Sequence, residues 1–136
     1  MIAITDYLAG VPLFLAYFAT ALVLTAVYTL VYTSLTPHDE KALIKENKQA
    51  ASVAFAGSLI GFVLPLASVI ENSLNLTDMV LWGLVALIVQ LMTFFAVRLA
   101  FPKISERIAN NEMAAGILLG SVSIAAGMLN AACLTY

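Results

Sequence analysis

Apolar residues run along this chain in four long blocks, and charge is confined to the gaps between them. The blocks free of Asp, Glu, Lys, Arg and His are Tyr7–Pro37, Gln49–Ile70, Met79–Val97 and Met113–Tyr136. A helix needs about 20 apolar residues to cross a hydrocarbon core of roughly 30 Å, and a buried soluble helix or signal-peptide core is shorter. The pattern predicts an all-α fold, a four-helix transmembrane bundle with spans at Pro12–Leu35, Ala50–Ile70, Met79–Phe101 and Met113 to near Tyr136. Pro12 suits a first helical turn, where its missing N–H costs nothing, and Thr36-Pro37 reads as a break. Pro65, with Gly61, is expected to kink or loosen the second span.

Composition strengthens this picture. The chain is 62% hydrophobic and 10% charged, against roughly 45–50% and about 25% in soluble domains. A soluble fold of 136 residues could not bury so much apolar surface. The length suits a single membrane domain. Asp6 precedes the first block without any Lys or Arg, so the first span is expected to be retained rather than cleaved as a signal peptide.

Charge adds direction. Lys41, Lys45 and Lys48 fall in one gap, and Arg98, Lys103 and Arg107 at another, while Asp6, Glu71 and Asp78 lie toward the opposite ends of the spans. Short cytoplasmic loops keep their Lys and Arg. The expected topology therefore has loops 38–49 and 102–112 on the cytoplasmic side of a membrane and both termini outside. In the first inner loop, Thr36 is a candidate cap with Pro37 at the first helical position, and Leu43 and Ile44 would dip toward the membrane. An ordinary solvated loop is the competing reading. At the other end of the spans, Thr77-Asp78 is a candidate cap for the third helix. Net charge is −2 and no basic patch suits nucleic acid.

The chain also resembles itself. Ile44, Asn47 and Ala50-Ala51 match Ile108, Asn111 and Ala114-Ala115, and Pro37 matches Pro102 with one residue inserted. Two parallel repeats of helix, basic loop and helix follow, about 11–70 and 79–136, related by an axis along the membrane normal. The shared Asn is expected to cap the second and fourth helices. Small residues recur on those helices: Ser52, Ala56, Gly57 and Gly61 align with Gly116, Gly120, Ser121 and Ala125. Small residues four apart let backbones approach closely in lipid. These eight are the candidate helix-packing residues, with the second and fourth helices as the tight centre.

Further residues carry a family likeness. The run Gly57–Glu71, then Asp78–Gly83, Asn111–Gly116 and Leu129–Ala132 together resemble the YjfL-type inner-membrane family of bacteria. The resemblance covers nearly the whole chain. It implies a tandem two-helix domain in the bacterial inner membrane, and members near envelope-stress genes hint at membrane maintenance. It supplies no activity and no catalytic residues. Glu46 and Asn110 stand where that family often has Gly, which should alter loop shape slightly.

Chemistry is sparse. No catalytic, cofactor-binding or metal-ligating set is visible, no nucleophile–base pair suggests an enzyme, and no cofactor is expected. His38 reads as a solvated loop residue, and Cys133 as a small buried filler, though at a helix end it could cross-link two copies. No ionisable residue sits at mid-membrane, which argues against a proton-coupled antiporter. Uncharged polar residues remain. Gln90, Thr93, Asn130 and Ser123, with Tyr28, Thr25 and Ser121 nearby, are either a narrow polar path or hydrogen-bonded glue between helices. The expected function is a non-enzymatic helix-packing module that self-associates or binds another membrane protein. The alternative is a channel or carrier for a small solute, with its path near Gln90 and Asn130.

Overall fold

The structure is a computed structural model that describes residues 3–134. Its helices are α1 (Ile4–Leu8), α2 (Val11–Leu35), α3 (Glu40–Lys45), α4 (Gln49–Asn72), α5 (Leu76–Ala100), α6 (Ile104–Ala109) and α7 (Met113–Cys133). The order long, short, long therefore occurs twice. Four segments are long and apolar enough to cross a membrane: Ile4–Leu35, Gln49–Asn72, Leu76–Ala100 and Met113–Cys133. The starts of the last three match the expected spans to within about three residues, whereas the first begins at Ile4 rather than Pro12 because it takes in α1 ahead of α2. The expected extension of the last helix to near Tyr136 reaches outside the described residues.

Side-chain caps differ from the expected ones. The β-region residue before α3 is Asp39, whose carboxylate accepts from the Ala42 N–H at 3.2 Å; Thr36 instead ends α2. Asn75, rather than Thr77-Asp78, caps α5 by accepting from the Asp78 N–H at 2.9 Å. Asp78 in turn accepts from the Leu74 N–H. Asn47 and Asn111 do not occupy the N-cap positions of α4 and α7, which fall on Lys48 and Glu112. Both asparagines have positive φ, 63° and 60°. They close the short helices with a left-handed residue, a conformation Asn tolerates better than other side-chain-bearing residues. Asn111 still satisfies a helix end, but by tertiary contact: its side-chain oxygen accepts from the Ala50 N–H at the start of α4, at 3.1 Å.

The centre of the bundle is the seam between α4 and α7. Contacts advance together along both helices, from Ala50 against Gly116, through Gly57 against Gly120, to Gly61 against Gly127. The two helices therefore run parallel. A Cβ added at Gly57 would strike the Gly120 backbone, and one at Gly127 would strike the Gly61 carbonyl. That carbonyl is free of the α4 ladder because Pro65, four residues on, has no N–H to donate. Pro65 thus turns a helix defect toward the seam, and α4 stays continuous through it. Ser68 ties the far end by donating to the Ala131 carbonyl at 2.9 Å.

Four of the expected packing residues, Gly57, Gly61, Gly116 and Gly120, lie buried in this seam, and Ser52 is half-buried. Ala56, Ser121 and Ala125 are exposed. Successive helical residues are about 100° apart: Ser58 and Leu119, on one side of Gly57 and Gly120, turn inward, while Ala56 and Ser121, on the other side, turn outward. The aligned small residues of the two halves thus do not all pack inward.

α5 packs antiparallel to α7, and α2 lies antiparallel to α4 through an aromatic group. Tyr28 stacks on Phe62 with centroids 4.5 Å apart, and Tyr32 meets Phe94 of α5 edge-on at 5.6 Å. Gly83 of α5 lets Leu24 come close. Elsewhere α2 presents Phe14, Phe18, Leu22 and Val23 outward, as a lipid-facing helix must.

Replacing Gly127 with Ala should destabilise the bundle by about 1–3 kcal/mol, since backbone rather than a movable side chain blocks the new methyl. The exposed Ala67→Val should change it by less than about 0.5 kcal/mol. Equilibrium unfolding in detergent micelles measures both, and equal effects would contradict the seam.

Candidate functional site

Polar side chains gather in two places, one within the spans and one at the end that carries the basic residues. Within the spans, Gln90 is fully buried on α5 and donates to the Ser123 carbonyl of α7 at 3.1 Å. Asn130 of α7 donates back to the Ala86 carbonyl of α5 at 3.3 Å and lies 3.4 Å from the Gln90 side-chain oxygen. Gln90, Ser123 and Asn130 are therefore brought together, and both amide side chains bridge α5 to α7. Thr93 does not join them; its hydroxyl donates to the Val89 carbonyl of its own helix at 3.0 Å. Thr25 likewise bonds back to Ala21. Tyr28 shares a hydrogen bond with Ser58 of α4 at 3.2 Å. Each of these groups finds a partner on a helix, as hydrocarbon requires.

The second place is the elbow between α2 and α3. His38 is buried, not solvated, and so is Glu40. His38 Nε2 lies 3.1 Å from Glu40 Oε1 with both side chains almost fully enclosed, at 1% and 2% exposure. The approach is off the line a hydrogen bond needs, so the two groups touch without forming one. Thr36 donates to the other Glu40 oxygen at 3.0 Å. Among the described residues, the hydroxyls of Tyr32 and Ser105 and the His38 Nδ1 are buried without hydrogen-bond partners. An open hollow of about 410 Å³ adjoins, walled by Thr33, Ser34, Asp39 and Lys41. Loop position alone made His38 look wet. Burial comes from the sharp Thr36-Pro37 turn, which folds α3 against α4 rather than into solvent.

The aromatic group also escaped the sequence reading, yet a signal was present. Leu24, Tyr28 and Tyr32 recur every four residues along one helical face, and all three are buried. Cys133 is exposed rather than a buried filler. It sits at the last turn of α7, where the helix runs beyond the tight part of the seam. Among the described residues no three His, Cys, Asp or Glu side chains group as metal ligands would.

Removing one member of a buried polar pair leaves the other facing an apolar group. His38→Phe should therefore cost about 1–3 kcal/mol, whereas the double change His38→Phe with Glu40→Leu should recover most of that loss. Unfolding of the three proteins in the same detergent checks this; a double variant no better than the single one would show that the pair is not coupled.

Comparison with known proteins agrees with this architecture. Residues 6–134 match the model for a family described as Domain of Unknown Function (DUF350). The chain is 43% identical over 123 residues to the UPF0719 inner membrane protein YjfL of Escherichia coli K12, covering 90% of this chain and 93% of that one. The YjfL protein of Escherichia coli O157:H7 matches to the same extent. No solved structure matches. With one family model spanning nearly the whole chain and relatives alike from end to end, this multi-pass inner-membrane protein belongs to the DUF350 (UPF0719) family.

Proposed function

We propose that the protein is a non-enzymatic helix-packing module, built of two parallel repeats, that self-associates in the inner membrane through the outward face of α7. The observation that carries this reading is Ser121. Thr20, Thr25, Thr29, Thr33 and Thr93 each turn the hydroxyl back onto a carbonyl of the same helix. Ser121, midway along α7 and exposed, makes no hydrogen bond among the described residues. Left in hydrocarbon, an unpaired hydroxyl is costly.

Its surroundings favour a helix as the partner. Ala114, Ser121, Ala125 and Ala132 are exposed at spacings of three and a half to four residues or their multiples, whereas the outward face of α2 is bulky. Small residues permit the close backbone approach that drives association in lipid. A second copy presenting the same face would satisfy both hydroxyls by two-fold symmetry. The side-chain amide donors of Gln90 and Asn130 are already spent between α5 and α7. That supports packing over a solute path. Glu40 is likewise engaged, by the Thr36 hydroxyl, and His38 is enclosed beside it, which supports a non-enzymatic reading.

Cys133 supplies the test, because it is exposed at the end of α7. Mild oxidation of native membranes should yield a Cys133-linked dimer, and Ser121→Leu with Ala125→Phe should weaken dimerisation about tenfold or more. Only monomers by native mass spectrometry in lipid, together with no cross-link, would overturn the reading. The proposed orientation has both termini outside the cytoplasm, because Lys and Arg gather at the α3 and α6 ends. Alkaline phosphatase fused after Tyr136 should then be active, and an inactive fusion that is cytoplasmic by protease protection would reverse the orientation.

A further inference from the structure

We propose that the elbow between α5 and α6 is a binding site for an anionic diacyl phospholipid. α5 ends at Ala100, Phe101 departs from helical geometry, and α6 begins at Ile104. Ile104, Ser105 and Ile108 are buried against the bundle. That burial pins the short helix and turns its basic side chains away from the core: Lys103 is exposed and Arg107 only partly covered.

Two hollows meet at Pro102. One, of about 510 Å³, has Phe95 and Leu99 as its apolar walls and Arg98 as its cation. The other, of about 330 Å³, has Phe101 and Ile104 as walls and Lys103 and Arg107 as cations. No carboxylate lines either hollow. Glu112 engages Arg107 through Nε at 3.2 Å, but that pair is well exposed and holds its charges weakly. Three cations thus surround two apolar slots at the end of a membrane span, which is the chemistry of a phosphate headgroup with two acyl chains below it. The slots argue for a lipid over free phosphate, which would leave them empty.

The other elbow gives an internal contrast. The hollow between α2 and α3 is walled by Asp39 and Glu40 beside Lys41 and His38, and offers an anion no net attraction. Basic residues near a span end are common; what distinguishes this elbow is paired apolar slots under cations of which, among the described residues, only Arg107 has a carboxylate partner, and that pair is exposed. The site is independent of the α7 face proposed for self-association.

The test uses the full-length protein in detergent with phosphatidylglycerol or phosphatidylcholine of identical chains, read by native mass spectrometry. Phosphatidylglycerol should be retained selectively. R98Q with K103Q should lower its retention on the order of tenfold, while the charge-keeping R98K with K103R and the distant K41Q with K45Q should retain it. Circular dichroism of each variant confirms that helices persist. Equal retention of the two lipids, equal loss in the K41Q/K45Q protein, or displacement of the lipid by inorganic phosphate at the same ionic strength would overturn the proposal.

Discussion

Everything in this fold hangs on backbone-to-backbone contact between α4 and α7. Lipid tails are as apolar as leucine, so the hydrophobic effect that collapses soluble proteins does not hold membrane helices together. What remains is close packing and hydrogen bonding. Gly57, Gly120 and Gly127 remove side chains where the helices touch, and Pro65 leaves the Gly61 carbonyl without its usual donor at that contact. With α4 and α7 locked in parallel, α5 is held by the Gln90 and Asn130 bonds and α2 by Tyr28 and Tyr32.

This arrangement grades the bundle from a dense centre to a lipid-facing rim. The central helices trade bulk for proximity. α2 makes the opposite choice, with aromatic residues toward its neighbours and Phe14, Phe18 and Leu22 toward lipid. Polar groups follow the same grading. Uncharged amides serve between the spans, where a hydrogen bond is worth about 0.6–2 kcal/mol. Charges are kept to the helix ends, where water and headgroups are within reach.

The two elbows show how one backbone plan can carry different electrostatics. Each joins a long helix to a six-residue helix that closes on an asparagine of positive φ. In the first, the ionisable pair His38 and Glu40 turns inward and is enclosed. In the second, Ile104 and Ile108 turn inward, and Arg98, Lys103 and Arg107 stay at the surface. The difference is which side chains the turn and short helix bury, so it decides whether ionisable groups are enclosed in the protein or offered to the membrane.

Span number and most span limits were readable from the sequence, because hydrocarbon imposes a local rule: each stretch of about 20 residues must by itself be apolar and helical. The family was readable separately, from residue runs such as Gly57–Glu71. Four glycines of the seam, Gly57, Gly61, Gly116 and Gly120, were readable for a related reason, since a missing side chain matters only where something comes close; Gly127, against the Gly61 carbonyl, was missed because it lies outside the repeated spacing. Facing was not readable. Ala56, Ser121 and Ala125 look like Gly57 and Gly120 in composition, yet a rotation of one residue sends them outward. Asn111 looks like a local cap and instead reaches Ala50 across the seam. His38 looks like a loop residue and is enclosed with Glu40. Lipid does not distinguish one apolar face of a helix from another, so hydrophobic periodicity is almost silent here; rotation about each helix axis was set only by the tertiary contacts that fit.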